Sequence, residues 1–371
     1  MKEPVRRSDV VEEHYLDRPL DVEADLDEGE GDYGLPWQPE DIRVSSRNFS
    51  LRNVIDMIEE RELELAPDFQ RNRVWKLKQK SGLIESILLQ IPLPAFYFAQ
   101  DKDGSMKVID GLQRLSTAYG FRKGEFALGP LEYLDLEGRR FDDLSPLWRR
   151  RFNQTQLSVH VIDPQTPSQI RYDIFKRINT GGTPLNAQEI RHCLTTDRCR
   201  EFLQRCAARP EFLTAVGKTF RDHVRMADRE LVLRFCAFRL QSLEEYRAMD
   251  PFLDDAAALL DDVERLTAKD LNILERDFAR AMATATEIFG PRPFRKSQSS
   301  PLNRPMFESL SVTLAKAADK RRRPDAAHVA EGVQHLVEYD RTYYDAISSS
   351  TGGRTKVHYR FAAARKLVFE P

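Results

Sequence analysis

The 371 residues exceed what one hydrophobic core organises comfortably, so two packed units and a tail are expected. Hydrophobic residues at 41% and charged residues at 31% are globular proportions and exclude collagen-like, mucin-like and coiled-coil architectures. The net charge of -2 is unevenly spread: residues 1–34 hold twelve Asp or Glu against four Lys or Arg, which leaves the rest at +6, a mildly basic body suited to an anionic ligand.

In chain order, residues 11–34 carry little periodic apolar content, and residues 1–36 read as an acidic disordered tail, either a solvating leader or a mimic of nucleic acid. Order is expected from about Trp37. Ser50 as N-cap followed by Leu51, Val54, Ile55 and Ile58 predicts a first helix. Leu83, Ile84, Ile87, Leu88 and Ile91 predict a second over 78–91, closed by Pro92 and Pro94. Two short strands follow, 95–99 and 106–109, joined by the hairpin loop Asp101-Lys102-Asp103-Gly104. The longest apolar stretches, such as Leu83 to Leu89 and Pro92 to Phe98, stop well short of the ~20 residues a membrane span needs. No secretory segment follows Met1, so a cytoplasmic protein without membrane contact is expected.

Beyond the hairpin, a helix is expected through Leu115, Ala118, Tyr119 and Phe121, then a strand over 156–162 and a helix from Pro167 to about Ile178. The loop 179–184 interrupts it, and Asn186 with Glu189 forms a capping box that restarts a helix. Past Asp197 the patterns are helical, at 228–240, 250–263, 270–289, 306–320 and 324–347, with a Pro-, Arg- and Ser-rich loop at 290–305. The fold class is therefore α+β: a small mixed sheet within 37–196 and an all-helical domain over 197–371. Cys193, Cys199, Cys206 and Cys236 show no paired spacing for zinc or a disulfide framework and read as buried thiols.

Three constellations suit phosphate chemistry. In the first, Gln70 and Arg71 precede Trp75; an arginine beside an amide can grip a phosphate, while surface ion pairing for Arg71 and core packing for Trp75 remain open. The second, Asp110-Gly111-Leu112-Gln113-Arg114, sits at a strand-to-helix junction where free N–H groups and the positive helix end favour an anion. There Gly111 would let backbone approach a ligand, Arg114 would neutralise phosphate, Asp110 would hold magnesium or position a water, and Gln113 would orient that water. A capped turn with a solvent-facing arginine fits the same spacing. The third joins Lys176 and Arg177 to Asn179, Gly181 and Gly182, whose adjacent glycines expose amide donors or simply stop a helix.

The stretches PDFQRNRVWK, LIESILLQIPLPAFYF, VIDGLQRLSTAYGF and FKRINTGGTPLNAQEIR occur in this order, and the segment 48–194 resembles the N-terminal domain family of GmrSD restriction systems. Leu112 departs from that family's D-G-Q-Q-R pattern, whereas Asp110, Gly111, Gln113 and Arg114 match it. The resemblance implies a ParB/sulfiredoxin-like fold that binds a nucleoside triphosphate with magnesium and hydrolyses it. Asp110, Gln113 and Arg114 would then handle phosphate, and Gln70, Arg71, Lys176, Asn179, Gly181 and Gly182 would complete the pocket. The segments 228–235 and 303–308 also look like stand-alone members of this family. Many relatives add an HNH nuclease domain. Here Asp222-His223 lacks the rest of that motif, so a structural or surface role is expected for His223, and a nuclease would be a separately encoded partner. The resemblance implies an NTPase sensor or effector of a defence system against phage or foreign DNA, with a nucleotide-gated DNA-binding adaptor or a metal-dependent nuclease as rivals and oligomerisation open. The run Lys320 to Arg323 suits either a nucleic-acid backbone or a helix end.

Overall fold

The computed structural model describes residues 10–15, 18–24, 42–65, 75–101, 103–178, 185–320 and 323–370, and of residues 168, 169 and 176 the backbone alone. Two compact units emerge. One is formed by residues 35–185, the other by residues 1–34 together with 186–371.

The acidic leader differs from expectation. Glu12–Tyr15 (β1) and Arg18–Glu23 (β2) pair antiparallel, Leu20 and Val22 are buried, and Val22, completely so, belongs to the core of the helical unit. Alternation of Leu20 and Val22 with acidic residues is a strand pattern of period two, which a charge count conceals. The acidic side chains are spent locally. Asp21 binds Arg292 and Arg295 at 2.9 and 2.8 Å, Glu13 binds Arg304 at 2.8 Å, and Glu23 pairs with Lys296 and accepts from Asn303 at 2.9 Å. The expectation of a wholly disordered tail is thus corrected for these residues; 25–41, with Trp37, lie outside the described ones.

The sheet unit follows. Val44–Ser50 (β3) runs straight into Leu51–Glu59 (α1), where the Ser50 hydroxyl accepts the Asn53 N–H. Leu63–Glu64 (β4) precedes Leu77–Leu88 (α2). That helix stops three residues before the expected end, because Gln90 turns to φ 60° and its amide donates to the Ile87 and Arg151 carbonyls and the Thr155 hydroxyl. Phe96–Gln100 (β5) and Met106–Asp110 (β6) form the expected hairpin, and Leu112–Arg122 (α3) follows. Pro146–Gln154 (α4) leads to Gln156–Ile162 (β7) and Ser168–Ile178 (α5).

The sheet is mixed, in the order β3-β7-β5-β6-β4, with β5 parallel to β7, β4 parallel to β6, and the other neighbours antiparallel. Its core face carries Phe96, Phe98, Met106, Val108, Leu157, Val159 and Val161 against α1, α2 and α3.

Helices make up the remainder: Ala187–Leu194 (α6), Asp197–Ala207 (α7), Pro210–Val216 (α8), Ala227–Leu240 (α9), Met249–Asp261 (α10), Ala268–Phe289 (α11), Arg304–Asp319 (α12), Ala326–Tyr339 (α13), Arg341–Ala346 (α14) and Arg354–Phe369 (α15). The Asn186–Glu189 capping box is present, each side chain accepting the other's N–H at 2.8 Å. The helix expected over 324–347 is two, divided at Asp340, whose carboxylate caps the second through the Tyr343 N–H. All four cysteines are buried free thiols, as expected. Segments 228–235 and 303–308 meet in a buried ion network: Glu308 accepts from Arg234 at 3.0 Å and from Arg360, and Glu230 from Arg234 at 2.8 Å, with Arg304 at 3.3 Å.

Candidate functional site

The junction between β6 and α3 has a sequence-encoded shape. Gly111 adopts φ 99°, in the left-handed region, and a Cβ there would lie 2.2 Å from Cδ1 of Phe96. Only glycine allows strand to pass into helix at this point. Immediately before it, the β5–β6 register shifts between Tyr97 and Phe98: Phe98 faces Val108, but Tyr97 faces Asp110. This bulge brings Asp110 into phase with Tyr97 rather than with the core residue Val108.

Arg114, in the first turn of α3, folds back over the junction. Its Nη2 donates to Asp110 Oδ2 at 2.9 Å and to the Ala95 carbonyl at 3.2 Å, its Nη1 donates to the Pro94 carbonyl, and its guanidinium lies 4.2 Å from the Phe96 ring centroid. Burial pushes the Arg114 pKa below the ordinary arginine range, and the Asp110 carboxylate opposes that shift. The arginine therefore locks Asp110 to the chain that enters β5. It is not the solvent-facing side chain that a simple capped turn would carry. Gln113 is half-buried in the first turn of the helix.

Sequence reading missed the neighbours of this turn. Cross-strand register aligns Asp110 of β6 with Tyr97 of β5, Tyr97 with His160 of β7, and His160 with Ser46 of β3. The Tyr97 and His160 rings lie 4.9 Å apart, and His160 Nδ1 is 2.9 Å from the Ser46 hydroxyl. A polar and aromatic row thus crosses four strands at about 5 Å per step. Farther along the hairpin, Lys107 binds Asp101 at 2.8 Å. On α5, burial lowers the Arg171 pKa while Asp101 opposes it, and the Arg171 Nε is buried without a hydrogen bond among the described residues. No local pattern signals this row, because strands distant in sequence assemble it.

Of the residues expected from sequence, Asp110, Gly111, Gln113 and Arg114 stand together. Gln70 and Arg71, and Asn179, Gly181 and Gly182, lie outside the described residues, and Lys176 is placed only as backbone of α5. For magnesium, Asp110 offers one carboxylate, already shared with Arg114. Such an ion is ordinarily completed by substrate phosphates and water, so the residue fits a phosphate-bridged ion and not an all-protein cage. Among the described residues no group of three His, Cys, Asp or Glu could hold a metal. His223 is structural: it stacks on Phe220 at 5.4 Å, Nε2 lies 3.3 Å from the Leu20 carbonyl, and Nδ1 accepts the Arg225 N–H at 3.2 Å.

This architecture defines an α+β domain whose short mixed sheet ends in a glycine-dependent strand-to-helix turn. Residues 52–196, from the start of α1 to just beyond α6, match the family described as GmrSD restriction endonuclease, N-terminal domain, and this segment is such a restriction-related domain. No curated protein matches the chain. Among the described residues no helix is long and apolar enough to cross a membrane.

Proposed function

We propose that the domain binds a nucleoside triphosphate with magnesium at the Asp110–Arg114 turn and hydrolyses it, as the sensing or effector part of a cytoplasmic restriction-like defence system that acts on or responds to DNA. The observation that carries this reading is the turn itself. A conformation open only to glycine presents the start of α3, and a carboxylate and an arginine are held beside the aromatic pair Tyr97 and His160. Helix-end amides favour phosphate, Asp110 with bound phosphates would complete a magnesium sphere, and the rings offer a stacking surface for a base. Gln113 would orient the attacking water.

A second reading is favoured by the engagement of Arg114. Its donors already serve two carbonyls and Asp110, so the turn suits a clamp that binds nucleotide and switches affinity for DNA without hydrolysis. Phosphate release from each ribonucleoside triphosphate with magnesium, with and without DNA, separates the two. Turnover in the wild type that falls at least tenfold in Asp110→Asn and Arg114→Ala supports hydrolysis. Binding without turnover supports the clamp, and neither binding nor turnover overturns both.

A further inference from the structure

The sheet unit carries a second concavity, apart from the Asp110 turn, of about 500 Å³. Arg52, Arg149, Arg150, Asn153, Gln154 and Gln156 line it. It opens where β3 and β7 end as a ladder, with Ser50 opposite Gln156, between the first turn of α1 and the length of α4. Residues 146, 149, 150 and 153 follow the i, i+3, i+4, i+7 spacing that gathers side chains on one helical face, so α4 turns two adjacent arginines and a carboxamide into the same space.

Solvated surface arginines are ordinary, but three features distinguish these. Three guanidinium groups and three carboxamides converge, and among the described residues no carboxylate lines the space with them. The Arg149 Nε is buried and has no hydrogen-bond partner among the described residues, a state that costs free energy until an acceptor arrives. Arg52 has only a loose contact with Asp56 at 3.7 Å, with side chains 72% and 55% exposed, a pair too solvated to hold it. The positive end of α1 adds to the field.

We propose that this cleft binds the phosphodiester backbone of a nucleic acid strand. Guanidinium and carboxamide donors are the groups that meet phosphate oxygens, and none of the lining side chains is aromatic, so the cleft offers phosphate contacts without a platform for a base. Binding there is independent of sequence and weakens steeply with salt. The inference rests on the reading that the protein meets DNA, but not on nucleotide binding at the Asp110 turn.

The test measures affinity of the full chain for a labelled DNA duplex across a salt series, for the wild type, Arg149→Gln/Arg150→Gln and, as a control, Arg276→Gln on α11, with nucleoside triphosphate binding followed in parallel. The double variant is expected to bind DNA at least about tenfold more weakly and to lower the slope of log affinity against log salt by about 2, since each phosphate left without its arginine lowers it by about 1. Nucleotide binding and the control stay unchanged. Should the double variant fold poorly, the exposed Arg150→Gln alone is expected to lower the slope by about 1. Wild-type affinity and slope in a folded variant would overturn the assignment while leaving a DNA-binding protein. No DNA binding by the wild type would remove the DNA reading with it. Loss of nucleotide binding in the cleft variant, without any effect on DNA, would make this a mononucleotide site and overturn the backbone assignment.

Discussion

Gly111 holds φ 99° with the Phe96 ring where a side chain would stand, so Gly111→Ala meets both backbone strain and a clash. The strain alone costs about 1–3 kcal/mol. A lowered urea midpoint is expected, together with nucleotide affinity reduced more than stability alone explains, because Asp110 and Arg114 are positioned through this residue. A variant with unchanged affinity would show that the turn is dispensable for the ligand. That Asp110, Gly111 and Arg114 belong together is legible in the sequence, since five consecutive residues carry the pattern. The alliance of Tyr97 with His160 is not, because it depends on β5 pairing in parallel with β7, 63 positions farther along the chain, a register no local spacing reveals. The cleft arginines are hidden for a different reason: Ser145 and Pro146 could open a helix, but Phe152 is the one buried residue of α4, so no apolar stripe marks the face that 149, 150 and 153 share.

At the scale of elements, α2 is tied to the chain beyond α3 by one buried carboxylate. Glu85 accepts the N–H groups of Glu132, Tyr133 and Leu134 at 3.0, 2.7 and 2.9 Å. Burial pushes its pKa up, but these three donors outweigh burial and hold it below the ordinary carboxylate value. Removing it in Glu85→Ala leaves the donors unmatched and is expected to cost about 1–3 kcal/mol in a urea melt. Because the folded value is the lower one, the charge contributes fully above the ordinary glutamate pKa of about 4.3 and is lost as pH falls through the folded value. The stability gap between wild type and Glu85→Gln should accordingly narrow below about pH 4. A gap constant from pH 7 to 3 would show that the carboxylate charge is not what holds the segment. The elements themselves are readable wherever an apolar stripe meets a cap, as at Ser50 and at Asn186. Asp340 is not, because helical spacing continues on both sides of it, and only its capping bond to Tyr343 marks the break.

For the whole molecule, the acidic strands are the largest departure from what composition suggests. Twelve carboxylates in thirty-four residues read as solvent-seeking, yet three of them fasten Arg292, Arg295, Lys296 and Arg304. The Arg295 side chain is only 1% exposed, so Asp21→Ala would leave a shielded guanidinium short of its anion. A loss of about 1.5–3 kcal/mol is expected, the range for hydrogen bonds to charged groups, read as a lower thermal midpoint that Asp21→Asn restores only in part. An unaltered midpoint would mean that the strands rest on the helices without holding them.

The hydrogen bond between Glu23 and Asn303 spans 280 positions along the chain, with the entire sheet unit encoded between them. A ribosome therefore releases β1 and β2 first and must finish α12 before they can dock, by which time residues 35–185 have had the opportunity to fold as a unit. Until then Val22 and the open edges of the strands remain uncovered, a waiting period in which a nascent chain would pair with its neighbours. The early crowding of like charges, which serves as a set of anchors in the finished protein, would keep those waiting ends apart.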